Sequence, residues 1–184
     1  MRIISGIARG TKLLTLSGNE ITRPTLDRVK EALFSIIQEK LINAKILDLF
    51  AGSGALGLEA LSRGADCAVF CDSSKEAIGI IKQNISKTHM EQKCEVLLDN
   101  YSTALAKLDN KMFDIIFLDA PYASDYDMQA LDIIEKKDIL AKDGIIILET
   151  DSDKKIEDLN KLCFNILKIR KYGRVKLVFL NRKG

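Results

Sequence analysis

Short apolar runs alternate with stretches of helical period through the middle of the chain. Residues 46–50 (Ile-Leu-Asp-Leu-Phe) form an apolar run that closes on Gly52-Ser53-Gly54. Residues 56–63 behind it read as a helix with Gly64 as its C-cap. Residues 68–71 predict a second strand ending at Asp72; Ser73 and Glu76 then have capping-box spacing, and Ile78, Ile81 and Ile85 share one helical face. A third strand over 94–98 ends at Asp99, with a helix over 103–108. A fourth over 113–118 ends at Asp119, with a helix from Met128 that brings Leu131 and Ile134 together. A fifth strand spans 145–148. Such apolar strands, alternating with helices, predict an α/β fold with a mostly parallel sheet covered on both faces. Further on, residues 166–170 and 175–180 flank Tyr172-Gly173, which predicts an antiparallel hairpin. Ahead of the sheet, residues 3–16 carry Gly6, Arg9, Gly10 and Lys12 and read as a small hairpin. Thr22-Arg23-Pro24-Thr25 then leads into a helix capped by Thr25, with Val29, Leu33, Ile36 and Ile37 at helical spacing. The expected organisation is one domain over 1–184, with 1–20 as an N-terminal hairpin extension.

Composition narrows the class. The chain's 184 residues, 47% hydrophobic and 29% charged, suffice for one core without disulfides or metals. No apolar run approaches the roughly 18 residues of a membrane span, and the first ten residues lack the features of a signal peptide. Cys67, Cys71, Cys94 and Cys163 match no zinc spacing, and there is one histidine, His89. Free thiols, a cytoplasmic location, no bound metal and a monomer are the expectations. The net charge of +2 hides an uneven distribution. Residues 1–45 carry 8 basic and 4 acidic residues, 46–151 carry 10 and 19, and 152–184 carry 10 and 3. Basic ends around an acidic centre can form a rim that attracts phosphates, or can simply offset the centre's charge.

The chemistry concentrates at the predicted strand ends. In Asp48-Leu49-Phe50-Ala51-Gly52-Ser53-Gly54-Ala55-Leu56-Gly57, glycines after the first strand let a bulky ligand approach the backbone. Dinucleotide dehydrogenases use a similar loop. Asp48, however, lies four residues before Gly52, where a carboxylate suits the ammonium of a methionine moiety better than a pyrophosphate. Asp72 is placed to accept both ribose hydroxyls of a nucleoside, whichever cofactor carries it. Asp99 and Asn100 can reach an adenine amino group. Asp119-Ala120-Pro121-Tyr122 carries the sharpest signal. The lone pair of an exocyclic base amine is delocalised into its ring, and acceptors for its protons make it more nucleophilic. Asp119 and the Ala120 carbonyl supply two acceptors. Pro121 fixes the turn and removes a competing donor, and Tyr122 offers a stacking face for a flipped-out base.

Over nearly its whole length the chain resembles the RsmD family of bacterial 16S rRNA guanine-N2 methyltransferases. The resemblance runs through RIISGIARGTKL, TRPTLDRVKEALF, LDLFAGSGALGLEALSRGA and FDIIFLDAPY. It implies a Rossmann-like class I methyltransferase fold, S-adenosyl-L-methionine as cofactor, and small-subunit ribosomal RNA as partner, with the guanine at position 966 as target. It also implies cofactor contacts at Asp48, Gly52, Gly54, Asp72 and Asp99, and base contacts at Asp119 and Tyr122; Phe50 and Asn100 are further cofactor-binding candidates. Arg23 and Thr25 are candidates to read the base from the N-terminal side. Two positions depart from the family pattern: Ala120 stands where a second proline is usual, which loosens the turn but keeps its carbonyl, and Asp72 replaces a glutamate. Two rival readings are an adenine-N6 nucleic-acid methyltransferase and a non-catalytic RNA-binding assembly factor.

Overall fold

The computed structural model describes residues 1–16, 23–122 and 124–183, with the side chains of residues 23–26 outside that description. Seven strands form one sheet: β1 (Lys45–Asp48), β2 (Cys67–Asp72), β3 (Cys94–Leu98), β4 (Phe113–Leu118), β5 (Leu140–Thr150), β6 (Phe164–Tyr172) and β7 (Val175–Arg182), in the spatial order 3-2-1-4-5-7-6. The first five are parallel. β7 runs antiparallel between β5 and β6, which sets this Rossmann-like sheet apart from the dinucleotide-binding order. Helices α1 (Arg23–Ile36), α2 (Ala55–Ser62) and α3 (Lys75–Thr88) cover one face; α4 (Tyr101–Lys107), α5 (Tyr126–Lys137) and α6 (Asp153–Asp158) cover the other. Alternate strand residues feed the two cores. Ile46, Phe70, Phe117 and Ile147 meet Leu33, Leu58 and Ile81, whereas Leu47, Ile116 and Leu148 meet Leu105, Leu131 and Ile134. This two-sided burial explains why the central strands read as unbroken apolar runs.

Local chemistry moves some of the expected boundaries. Ser74, not Ser73, caps α3, its Oγ accepting the Ala77 N–H at 3.3 Å from an extended backbone; Ser73 is taken up by the bend after Asp72. Arg63 caps the end of α2, and Gly64 follows at φ 109°. α1 starts at Arg23, two residues before Thr25. β5 begins at Leu140, well ahead of the expected residue 145, because Phe113 pairs with Leu140 across an irregularity in the ladder.

The expected N-terminal hairpin is an arm closed by the single bridge Arg2–Lys12 and by bonds between residues 1–3 and 10–13. Too small to fold alone, the arm is pinned to α2. Glu59, fully buried, accepts the N–H groups of Ile4 (2.8 Å) and Ser5 (3.0 Å). Ser62 Oγ accepts from Ala8 and donates to the Ser5 carbonyl. Lys30 from α1 joins Glu59 at 3.2 Å and donates to the Arg2 carbonyl. Gly6 lies so close to the Ser62 carbonyl that a Cβ would overlap it at 1.7 Å.

Candidate active site

The carboxyl ends of the parallel strands open into a cleft of about 800 Å³, the place where open α/β sheets bind ligands. The glycine loop forms one wall. Gly52 has φ +54°, and nothing stands within 4 Å of where its Cβ would be, so a ligand can approach the backbone there. Asp72 holds this loop: its Oδ2 accepts the Gly52 N–H and its Oδ1 the Ser74 N–H, both at 2.9 Å. Fixed in this way, the carboxylate keeps lone pairs for hydroxyls in the cleft. Asp99 also lines the cleft, paired at 2.8 Å with Lys107. Asn100 caps α4 through the Thr103 N–H, which leaves its amide donors for the cleft.

Asp119, Ala120, Pro121 and Tyr122, which follow β4 beside β1, line the same cleft. Asp119 has solvent access through the cleft yet is recessed in protein. Burial pushes its carboxyl upward, and the charges of Glu149 and Asp48 add to the rise. Tyr122 donates from its hydroxyl to Glu149 Oε1 at 2.6 Å. Half-buried Glu149 is itself raised by burial, opposed by the Tyr122 bond.

Of the sequence-derived site residues, Phe50, Gly52, Asp72, Asp99, Asn100 and Asp119 through Tyr122 converge on this cleft. Asp48 and Gly54 lie behind the lining. Asp48 is 2% exposed, accepts the Gly57 N–H at 3.1 Å, and is raised by burial to about 7. Gly54, in the left-handed conformation, packs against Phe70 and Ile81. Arg23 and Thr25 fall in the first turn of α1, and their side chains lie outside the described residues.

Two side chains, Tyr101 and Tyr126, line the site unannounced by the sequence. Phe50, Tyr101 and Tyr126 form an aromatic row with centroids 5.8 and 5.2 Å apart, so Tyr101 and Tyr126 extend an apolar face along the cleft. Tyr101 directly follows Asp99-Asn100, a position from which it was findable. Tyr126 comes from α5, and only the packing brings it here; Glu149 of β5 is tied to the site through the Tyr122 hydroxyl. Among the described residues no three His, Cys, Asp or Glu are arranged to hold a metal ion, and no helix is long and apolar enough to cross a membrane.

A family model described as conserved hypothetical protein 95 matches residues 1–181. Ribosomal RNA small subunit methyltransferase D of Haemophilus influenzae is 38% identical, covering 84% of this chain and 80% of that protein. YlbH of Bacillus subtilis is 37% identical over 188 residues, covering 100% of both. The solved structure of yhhF from Escherichia coli superposes with a TM-score of 0.85 at 29% identity, over 100% of this chain and 98% of that one. With a class I methyltransferase fold and a family model matched from its first residue almost to its last, the chain belongs to the conserved hypothetical protein 95 family, the RsmD family.

Proposed function

We propose that this protein transfers a methyl group from S-adenosylmethionine to the exocyclic N2 of a guanine in small-subunit ribosomal RNA. The observation that carries the reading is the convergence, in one cleft, of a glycine loop with strand-end carboxylates and the Asp119–Tyr122 turn. The name of the Haemophilus relative supports ribosomal RNA as the substrate class.

The residues fit the cofactor. The open side of Gly52 admits it, Asp72 suits a ribose, and Asn100 can meet an adenine edge. When bound, the cofactor supplies an electrophilic sulfonium methyl group. The rest of the work belongs to this chain. Tyr122 stacks on the extruded base. Asp119 and the Ala120 carbonyl accept hydrogen bonds from the amine, which holds the nitrogen lone pair towards the methyl group. Asp119 takes no proton before attack, because the amine becomes acidic only as it gains positive charge. Ala120 is buried and supplies a backbone carbonyl, a group independent of its side chain. The reading is tested by methylating ribosomal RNA with labelled cofactor, digesting it and identifying the labelled nucleoside. N2-methylguanosine is expected. Label only in N6-methyladenosine overturns the substrate and leaves the cofactor reading standing.

A further inference from the structure

We infer that Glu149 reads the guanine edge, accepting the ring N1–H beside the amine that Asp119 polarises. This rests on the guanine-N2 reading above.

The placement follows from strand register. Phe117 pairs with Ile147 and Leu118 with Leu148 in the parallel β4–β5 ladder. Asp119 directly follows Leu118 and Glu149 directly follows Leu148, so the two carboxylates leave neighbouring positions on adjacent strands, which lie roughly 5 Å apart in the hydrogen-bonding direction. Glu149 is still within β5, held between Asp119's strand and β7, where it pairs with Leu177. Its Oε1 is occupied by the Tyr122 hydroxyl; the same carboxylate retains lone pairs on Oε2. The ring proposed to stack on the base is thus tied to a carboxylate beside the amine's acceptor.

The chemistry of the base edge supplies the selection. Guanine presents two adjacent donors there, N1–H and the N2 amine. Adenine presents a bare N1 acceptor next to its amine. A pair of carboxylates one strand apart meets two donors with two acceptors. Facing adenine, the second carboxylate would oppose a lone pair and leave two buried acceptors unsatisfied. The Asp119–Tyr122 turn treats every exocyclic amine alike; Glu149 distinguishes between them.

The test uses two RNA oligonucleotides that differ only at the target position, one with guanine and one with 2-aminopurine, which keeps the amine and lacks the N1 proton. Single-turnover rates, and affinities in the presence of S-adenosylhomocysteine, are measured for wild type, Glu149→Gln and Tyr122→Phe. Wild type should favour guanine by about 10- to 100-fold, the scale of one or two unsatisfied buried groups. Glu149→Gln, whose amide can donate to a bare N1, should shrink that ratio about tenfold or more. The affinity ratio reports this even where the variant's turnover is too slow to follow. Tyr122→Phe keeps the ring and frees Glu149, so it should retain the guanine preference. Loss of preference in Tyr122→Phe equal to that in Glu149→Gln would assign Glu149 to holding the ring and overturn the proposal. So would an unchanged ratio in Glu149→Gln, or a wild type that treats both RNAs alike. If wild type labels adenine N6 in ribosomal RNA, the guanine reading fails and this inference with it. Guanine labelled at N2 alongside an unchanged Glu149→Gln ratio removes the inference alone.

Discussion

Asp48 and Asp72 end strands and Asp119 directly follows one, yet their surroundings differ. In the proposed function Asp119 serves the base: Asp119→Ala should abolish turnover while calorimetry finds cofactor affinity within a few-fold of wild type, and near-normal methylation by this variant would assign the amine's polarisation to another group. Asp72 holds the glycine loop, and in the proposed function it also meets the ribose. Asp72→Ala should cost on the order of 1.5–3 kcal/mol of cofactor binding, read by the same titration. Asp48 stores a pH dependence. Its folded value of about 7 lies above its ordinary 3.8, so its contribution to stability is fully present below 3.8 and is lost as pH rises through about 7. That gap corresponds to at most about 4 kcal/mol. Asp48→Asn, which keeps an acceptor for the Gly57 N–H, should therefore be more stable than wild type to urea at pH 8, with the advantage fading towards pH 4. An equal advantage at both pH values would mean that charge burial is not its source. Residues carried by local motifs, such as Asp72 and Asp119, were legible in the sequence because each follows directly on an apolar run. Glu149 was not: a glutamate after an apolar strand carries no mark of what lies on the neighbouring strand.

Elements were legible where their period was long and their faces were clean. β4 was read to the residue, and the Ile78-Ile81-Ile85 face of α3 is buried as expected. α6 is not legible in the sequence because its six residues, Asp-Lys-Lys-Ile-Glu-Asp, carry no hydrophobic face. It is held by side chains instead. Lys155 is nearly buried against Asp127 of α5, at 2.8 and 2.9 Å, and donates to the Ser124 carbonyl, so α6 clamps the segment after Pro121-Tyr122. The N-terminal arm is held in the same manner by Glu59. Glu59→Ala would strand the Lys30 ammonium, already lowered by burial, together with the Ile4 and Ser5 N–H groups. Breaking one side of such a buried pair costs about 3–5 kcal/mol, and urea denaturation should show a loss of that order. A change below about 1 kcal/mol would mean that the arm contributes little to the fold.

At the scale of the whole molecule, the basic ends visible in the sequence are not equivalent. Lys176 pairs with Thr150 at the carboxyl end of β5, so the β6–β7 turn, with Arg170, Lys171 and Arg174, projects from the cleft side of the sheet. The arm docks differently. Its tip lies against Ser62, at the end of α2 away from the glycine loop, and carries Arg9 with it. Phosphate contacts release counterions, so RNA affinity should fall steeply with salt. Charge reversal at Arg170, Lys171 and Arg174 should weaken binding, and flatten its salt dependence, more than reversal at Arg9 and Lys12. Equal effects in filter binding would make the two ends one continuous rim. The sequence could count these charges but not place them, since their position depends on which way β7 runs.

The strand order has a consequence for how the chain is made. β7, last of the strands in chain order, is next to last in space, wedged between β5 and β6. While a ribosome is still synthesising residues 175–182, β5 has one open edge, and Ile146, Ile147 and Leu148 lack the Val178, Phe179 and Leu180 partners that later pair with them. An open apolar edge is a template for pairing with other chains. The sheet is therefore complete only once residues 175–182 are available to pair, and until then the open edge of β5 is a natural target for factors that shield nascent chains.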